Sequence, residues 1–176
     1  ATGKDRRTLI EISGKSNKIA KDTFTIANSY VPVNSLSIKI KEKHKLKIGD
    51  KIEIARPSTK KWIEVIGTWH FGGGITSLGW KPEDQIITWN RTITNIKDNE
   101  IFFDAPITTA IDSNFGGGFL VPYTWSGRIE NIGIENLILT SEYNKDNTKD
   151  EDHSWTAITF NNTIDSWVRN IIFKHF

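Results

Sequence analysis

Two short blocks near the end of the sequence are close copies of each other. Residues 134–140 read IENLILT and residues 168–174 read VRNIIFK, so each holds an apolar residue, a charge, an asparagine and an apolar run. The shared asparagines, Asn136 and Asn170, are 34 positions apart. Repetition at a period of about 20–50 residues is typical of solenoids, in which each turn, or rung, buries its apolar face only against its neighbours. The repeat therefore predicts stacked rungs.

A polar tract over residues 142–152 separates the two copies and has the composition of a loop rather than of a core. Without this tract the repeat shortens to about 23 residues, which suits one turn of a parallel β-solenoid. Within the first copy the alternation of apolar residues breaks at Asn136, which predicts two short strands that meet at a bend. Asparagine tolerates unusual backbone angles, and asparagines stacked once per rung can form a hydrogen-bonded ladder, so we expect Asn170 to lie directly above Asn136.

Most of the remaining sequence also has the two-residue period of strands. Asp98 and Asn99 between two apolar runs predict a β-hairpin over residues 86–103. A short helix is expected to begin after Ser58 and to end at Gly67. The other short segments rich in Ile, Phe and Thr are residues 8–12, 23–26, 36–40 and 51–54. These patterns predict an all-β chain, a parallel β-helix with a small inserted antiparallel module and one short helix.

The same patterns predict three regions along the chain. Residues 1–45 are expected to form the first rungs, residues 46–105 the inserted module with its helix, and residues 106–176 regular rungs. The final block still has a strand pattern at Phe176, whereas solenoids finish with polar capping rungs, so the remainder of a longer β-helix chain is an expected partner.

Composition narrows the possible functions. The 23 basic and 21 acidic residues give a net charge of +2, which indicates no nucleic-acid partner and no membrane surface. The basic cluster at residues 39–47 is interpreted as a strand edge protected by lysines, with a nucleic-acid site as the less favoured alternative. No apolar run is long enough for membrane insertion. Because cysteine is absent, disulfides, thiol nucleophiles and thiolate metal sites are excluded.

Aromatic residues provide the first candidate site. The chain has seven tryptophans and nine phenylalanines, and a long irregular stretch at residues 68–84 is rich in them. Long irregular segments inside a domain are usually functional, and flat aromatic faces can stack on sugar rings or fill a core. The substrate-binding candidates are Trp69, Trp80, Trp125 and Trp155.

The acidic loop provides a candidate metal site. Calcium takes six to eight oxygen ligands, and Asp146, Asp150 and Glu151 could supply several of them together with backbone carbonyls. The spacing lacks the glycine and the distant glutamate of an EF-hand. Calcium is therefore the candidate ion, and a solvated loop without a metal is the alternative.

Catalytic candidates lie in and after this loop. Carboxylates beside His153 favour its protonated form, so it could act as an acid, or it could simply pack at the base of the loop. A glycoside hydrolase needs two carboxylates, and a lyase needs a base and a group that neutralises the uronate. Asp152, Asp165 and Arg169 are candidates for these roles. Asp165 and Arg169 could equally form an ion pair.

Several blocks resemble the N-terminal half of bacterial right-handed parallel β-helix proteins of the pectate-lyase-like superfamily. The blocks are residues 49–57, 61–63, 91–94, 103–106, 150–155 and 165–170, which together extend over most of the chain. The resemblance implies a carbohydrate-active protein that is secreted, periplasmic or on the cell surface, with polysaccharide as its partner. It also implies that catalytic residues can project from rungs later than residue 176.

The resemblance leaves several functions open because this fold supports many of them. The first hypothesis is a polysaccharide lyase or glycoside hydrolase, or a fragment of one. The second is a non-catalytic glycan-binding, adhesion or structural module. The third is a phage-type tail fibre, which would be expected to form trimers.

Overall fold

The computed structural model describes residues 7–71 and 78–176, so part of the predicted irregular stretch, residues 72–77, lies outside the described residues. Within these ranges the chain is mostly β, with one helix, α1 (Lys60–Val65), and a single 3-10 turn at Ser113–Phe115. The strands are β1 (Thr8–Ser13), β2 (Ile19–Ala20), β3 (Phe24–Thr25), β4 (Tyr30–Val31), β5 (Ser37–Lys39), β6 (Lys51–Arg56), β7 (Ile87–Lys97), β8 (Glu100–Phe103), β9 (Ile111–Asp112), β10 (Phe119–Thr124), β11 (Ile129–Glu130), β12 (Gly133–Thr140), β13 (Thr156–Asn161), β14 (Thr163–Ile164) and β15 (Trp167–Lys174).

The chain divides into two compact units. The parallel unit comprises residues 1–18 and 125–176, and the antiparallel unit comprises residues 19–124. These boundaries differ from the predicted ones at 45 and 106. Strands expected in the first rungs, β3 and β5, and the later strand β10 all pair antiparallel inside residues 19–124. Alternating apolar residues predict a strand but not its partner, which explains the difference.

The parallel unit contains three pairs of parallel strands: β1 with β13, β11 with β14, and β12 with β15. In the last two pairs the register joins Ile129 to Thr163 and Thr140 to Lys174, which is the spacing of the sequence repeat. Asn170 Nδ2 donates a hydrogen bond of 2.6 Å to Asn136 Oδ1, and both residues have positive φ, 53° and 58°. The stacked asparagine pair is therefore confirmed, whereas the two short strands expected on either side of Asn136 form one strand, β12, in which Asn136 has the positive φ expected of a bend.

One corner of the repeat differs greatly between its two copies. A single residue, Asn162 with φ of 53°, joins β13 to β14, whereas residues 14–128 separate β1 from β11. Asn162 Nδ2 donates to the carbonyl oxygen of Gly14 at 3.0 Å, and the backbone N–H of Ile129 donates to the carbonyl oxygen of Asn162 at 3.2 Å. A Cβ on Gly14 would lie 2.7 Å from the carbonyl oxygen of Gly127. The chain therefore leaves and re-enters the parallel unit at this corner.

The antiparallel unit is built on a sheet with the strand order β2-β10-β6-β7-β8-β5, and β3 also pairs with β10. Strands β4 and β9 form a separate antiparallel pair. In strand β6, buried residues alternate with exposed or partly buried ones, and Ile52 and Ile54 lie in the core with no solvent exposure. Other core residues are Phe24, Ile26, Val31, Ile38, Ile40, Trp89, Ile93, Ile101, Phe103, Ile107, Ile111 and Leu120.

Local predictions in this unit are mostly correct. The β-hairpin is confirmed, because β7 and β8 pair antiparallel and Asp98 has a φ of 51° in the turn between them. The helix is also present, but Thr59 caps it by accepting a hydrogen bond from the Trp62 N–H at 3.4 Å. Ser58, the predicted cap, is fully buried, and its hydroxyl oxygen accepts the N–H of Gln85 at 3.1 Å.

The basic cluster at residues 39–47 is only partly a strand edge. Strand β5 ends at Lys39, Ile40 forms an isolated antiparallel β-bridge with Ile26, and residues 41–50 lie in loop and turn structure. Among the residues that the structure describes, no helix combines the length and the apolar character needed to span a membrane.

Candidate functional site: an aromatic cleft beside helix α1

Helix α1 and the two segments that follow it enclose a cleft of about 490 Å³. Two of the four tryptophans predicted from the sequence to bind substrate, Trp69 and Trp80, line this cleft together. The remaining lining residues are Lys60, Ile63, Glu64, Lys81 and Pro82. The structure therefore brings together two candidates that are 11 positions apart in the sequence.

Trp80 is held by stacking. Its ring lies 5.9 Å from the ring of Trp62 at an interplanar angle of 16°. The guanidinium of the buried residue Arg56 lies 4.4 Å from the centre of the Trp62 ring, in a cation–π arrangement. Burial lowers the pKa of Arg56, but an arginine remains charged in a protein. These contacts fix one aromatic wall of the cleft.

Trp69 forms an exposed wall, with 62% of its surface accessible to solvent. The backbone N–H of Trp80 donates to the carbonyl oxygen of Thr68 at 2.8 Å, which ties the two segments together. A Cβ on Gly79 would overlap the carbonyl group of Trp69, so only glycine permits this close approach. Gly79 therefore sets the distance between the segments that carry the two cleft tryptophans.

The lining of the cleft combines charged and apolar residues. Lys60 and Glu64 are exposed and lie 3.7 Å apart, and Lys81 is also exposed. Ile63, which also lines the cleft, is buried. Flat apolar walls with hydrogen-bonding groups at the edge suit a ligand that has an apolar face and a polar perimeter.

The other two tryptophan candidates lie in the parallel unit and do not line this cleft. Trp125 is half-buried, and its indole N–H donates to the carbonyl oxygen of Lys15 at 2.8 Å. The Arg128 guanidinium lies 4.9 Å from the Trp125 ring. The indole N–H of Trp155 donates to the carbonyl oxygen of Glu151 at 3.2 Å. Contact of these two residues with substrate stays a prediction.

The acidic loop is organised by Asp150. Its carboxylate accepts the backbone N–H of Asn144 at 2.6 Å and that of Asp152 at 3.0 Å. These hydrogen bonds hold the pKa of Asp150 below its ordinary value. Asp146 and Glu151 are exposed, and no group of three or more His, Asp or Glu side chains in the described residues could hold a metal ion. The geometry gives the calcium prediction no support, and it remains untested.

The catalytic candidates lie in three places: Asp152 and His153 are adjacent in the acidic loop, Asp165 lies between β14 and β15, and Arg169 lies on β15. His153 is half-buried, with Nδ1 3.1 Å from the carbonyl oxygen of Ser154, and Asp152 is exposed. Asp165 is an exposed corner residue with φ of 50°, and it lies 34 positions after Asn131, which has φ of 59°. Arg169 pairs with Glu135 at 2.7 Å. Their catalytic roles stay predictions.

Sequence reasoning selected Arg169 but missed Trp167 and Glu135, with which it forms a cluster on strands β12 and β15. The Trp167 indole N–H donates to Glu135 Oε1 at 2.5 Å, and Arg169 binds the other carboxylate oxygen. These two bonds hold the pKa of Glu135 below its ordinary value, with Trp167 making the larger contribution. The signal was available, because a 34-residue shift places Gly133 opposite Trp167 and Glu135 opposite Arg169.

Comparisons with known proteins give only distant similarities. No protein-family model matches the sequence, and no curated protein matches it. The solved structures that resemble it include the tailspike gp49 of Pseudomonas phage LKA1, with 14% identity and a TM-score of 0.38 over 76% of this chain. The tailspike gp54 of Acinetobacter baumannii phage AP22, in complex with a capsular saccharide of that bacterium, has 9% identity and a TM-score of 0.43 over 94% of this chain.

A third similar structure, the tailspike gp61 of Pseudomonas phage phi297, has 7% identity and a TM-score of 0.46 over 97% of this chain. The present chain spans 19%, 29% and 35% of the lengths of these three proteins. At identities and TM-scores this low, the similarities contribute no argument about the function of this chain.

Proposed function

We propose that this chain is a polysaccharide-binding protein and that it holds a sugar ring in the cleft between Trp69 and Trp80. One observation carries the proposal: an indole that is 62% exposed shares a cleft with a second indole fixed by stacking. Single exposed apolar residues are common on protein surfaces, but two tryptophans that converge on one cleft need an explanation. Neither of them belongs to the buried core of the unit.

The chemistry of the cleft suits a sugar. One face of a pyranose ring presents C–H groups that can stack on an indole, and its hydroxyls project at the perimeter. Lys60 and Lys81 can donate hydrogen bonds to these hydroxyls, and Glu64 can accept them. The cleft volume of about 490 Å³ lies within the range of about 300–1,000 Å³ that is usual for small-ligand sites.

The parallel unit supports a proposal about fold class. We infer that it consists of two rungs of a right-handed parallel β-helix of the pectate-lyase-like type. The 34-residue register that the pairs β11–β14 and β12–β15 share and the stacked asparagines support this inference. A secreted, periplasmic or cell-surface location follows from the same proposal. A lyase or hydrolase activity that uses His153, Asp152, Asp165 and Arg169 is a separate proposal, and the binding function does not depend on it.

The binding function can be tested on an array of neutral and acidic polysaccharides. Trp69→Ala should reduce the affinity for the polysaccharides that the unaltered chain binds by about tenfold or more, because it removes one stacking wall. Tyr30→Ala is the matched control, because Tyr30 is an exposed aromatic residue of the same unit that does not line the cleft. Unaltered affinity in Trp69→Ala would overturn the assignment of the cleft as the binding site.

The same array separates binding from catalysis. Release of reducing ends would identify a hydrolase, and absorbance from unsaturated uronates would identify a lyase. Binding without either product would support the non-catalytic alternative.

A further inference from the structure

Trp167 lies flat on the backbone of the preceding repeat. Its partner in the parallel register is Gly133, and a Cβ on Gly133 would come within 2.6 Å of Cζ2 and of Nε1 of the indole and closer still to Cε2. Cε2 lies between Cζ2 and Nε1 and is bonded to both. If the added Cβ lay in the plane of the ring, it would therefore be closer to these two atoms than to Cε2. The closest point therefore lies over the face of the ring, and Gly133 is the bare surface on which that face rests.

The orientation of the ring is fixed by a hydrogen bond. The Trp167 indole N–H donates to Glu135 Oε1 at 2.5 Å, and Arg169 donates to Oε2 of the same carboxylate at 2.7 Å. Residues 133 and 135 have the same parity on β12, as residues 167 and 169 have on β15, so all these groups belong to one face of the two strands. The ring is held both by the glycine beneath it and by the carboxylate at its edge.

The rest of the indole is open to solvent. Trp167 is 45% exposed, and the side chain of Arg169 is 72% exposed. A tryptophan that served only to fill a core would be buried, as Trp89 is at 6% exposure. The Glu135 carboxylate and the Arg169 guanidinium cancel in charge, yet both keep hydrogen-bonding capacity beside the ring.

We propose that Trp167, Glu135 and Arg169 form a second sugar-binding surface, here called the Trp167 platform, which takes an uncharged pyranose ring. The ring stacks on the exposed face of the indole, and its hydroxyls bond to the carboxylate and the guanidinium. An uncharged sugar is favoured because the ion pair has no net charge to offset a uronate. This inference rests on the proposed polysaccharide-binding function, but it concerns residues that the cleft does not include.

The test uses isothermal titration of the full chain with neutral glucans, galactans, mannans and xylans. The starting variant is Trp69→Ala, which disables the cleft. The platform predicts that Trp69→Ala retains measurable binding to at least one of these polysaccharides, and that adding Trp167→Ala lowers the remaining affinity at least tenfold. Absence of remaining binding, or remaining binding that Trp167→Ala leaves unchanged, would overturn the platform while the proposed function of the cleft stands.

A second pair of variants tests the geometry. Adding Gly133→Ala to Trp69→Ala should lower the remaining affinity as Trp167→Ala does, although the tryptophan is still present, because the new methyl group displaces the ring. Tyr143→Ala is the control, since Tyr143 is an exposed aromatic residue of the same unit outside the platform. If Gly133→Ala impairs folding, as judged by circular dichroism, Trp167→Ala decides the question alone.

The titration also separates the two proposals from each other and from self-association. If Trp69→Ala binds as tightly as the unaltered chain and Trp167→Ala does not, the cleft proposal falls and the platform stands. Analytical ultracentrifugation of the unaltered chain and of Trp167→Ala tests whether the chain self-associates through the indole face. A dimer that Trp167→Ala abolishes, without any loss of sugar binding, would assign the indole face to a second copy of the chain and overturn the platform.

Discussion

The two units of this protein bury their apolar side chains to very different extents. In the antiparallel unit Ile52, Ile54 and Ile101 have no solvent exposure. In the parallel unit Ile134 is 7% exposed, whereas Val168, its partner on the neighbouring strand, is 43% exposed. A stacked repeat covers its apolar residues only with adjacent repeats, whereas a compact antiparallel sheet closes its own core. Within the described residues, the cluster of buried apolar side chains accordingly lies in the antiparallel unit.

The two units nevertheless use a similar device to display tryptophan. Gly79 passes against the backbone of Trp69 in the antiparallel unit, and Gly133 lies beneath the ring of Trp167 in the parallel unit. In each case the missing Cβ permits a contact that positions an exposed indole. Burial of apolar side chains therefore differs between the units, whereas the way in which they expose aromatic rings is shared.

The difference in burial predicts the largest effect. Ile101→Ala should lower the free energy of unfolding by about 3 kcal/mol, because it leaves a cavity in a closed core. Phe173→Ala removes more atoms, but Phe173 is 51% exposed, so its cost should be about 1 kcal/mol or less. Urea unfolding followed by circular dichroism measures both values. Equal costs would show that the parallel unit is as closed as the antiparallel one.

The glycine beside Trp69 gives the next largest effect. Gly79→Ala should cost about 2 kcal/mol, because the added methyl group overlaps a backbone carbonyl that cannot easily move. It should also weaken the exciton signal of the stacked pair Trp62 and Trp80 in circular dichroism. The control is Gly67→Ala: Gly67 has a φ of +72° and open space around it, so only backbone strain of about 1 kcal/mol is expected. An unchanged exciton signal in Gly79→Ala would contradict the role of this glycine.

The stacked asparagines of the parallel unit give a smaller effect. Asn170→Ala should cost about 1–2 kcal/mol, because alanine tolerates the left-handed backbone poorly and the bond to Asn136 is lost. Asn170→Gly loses the same hydrogen bond but keeps a residue suited to that backbone, so it should cost less. Thermal unfolding of the two variants compares these values directly. If Asn170→Gly is less stable than Asn170→Ala, the left-handed backbone conformation does not explain why asparagine occupies this position.

The smallest effect concerns the acidic loop and its pH dependence. The pKa of Asp150 in the folded chain lies below its ordinary value of 3.8, so its hydrogen bonds are complete above that value and are lost as the pH falls through the lowered pKa. The backbone amide signals of Asn144 and Asp152 in nuclear magnetic resonance should therefore move together in acid. In Asp150→Asn this joint titration should disappear, and its persistence would assign it to another carboxylate.

Local and repeating features of the fold could be predicted from the sequence, and long-range ones could not. The repeat specified the register of β12 and β15, and Asp98 with Asn99 specified the hairpin turn, because the cause lies within a few residues or in a fixed period. The boundaries of the antiparallel unit depend on which strands pair with β10. Alternating apolar residues do not encode that selection.

The candidate sites follow the same rule. The sequence indicates that tryptophans are candidates for sugar binding. It does not show that Trp69 and Trp80 converge, because this depends on the backbone contact at Gly79, which no local pattern reveals. Trp167 could have been found by applying the 34-residue shift, since the residue beneath it is a glycine. The charge of the acidic loop predicted a metal site. In the structure, however, the Asp150 carboxylate accepts hydrogen bonds from the backbone of the loop itself.

Titration of the tryptophan indole N–H signals in nuclear magnetic resonance tests the central claim most directly, because each of the seven tryptophans reports its own surroundings. With a polysaccharide that the array identifies, the signals of Trp69 and Trp80 should shift together with a single dissociation constant. The signal of Trp89, which lies in the core, should stay in place. A polysaccharide that binds the chain and leaves the Trp69 and Trp80 signals unmoved would contradict the assignment of the cleft as the binding site.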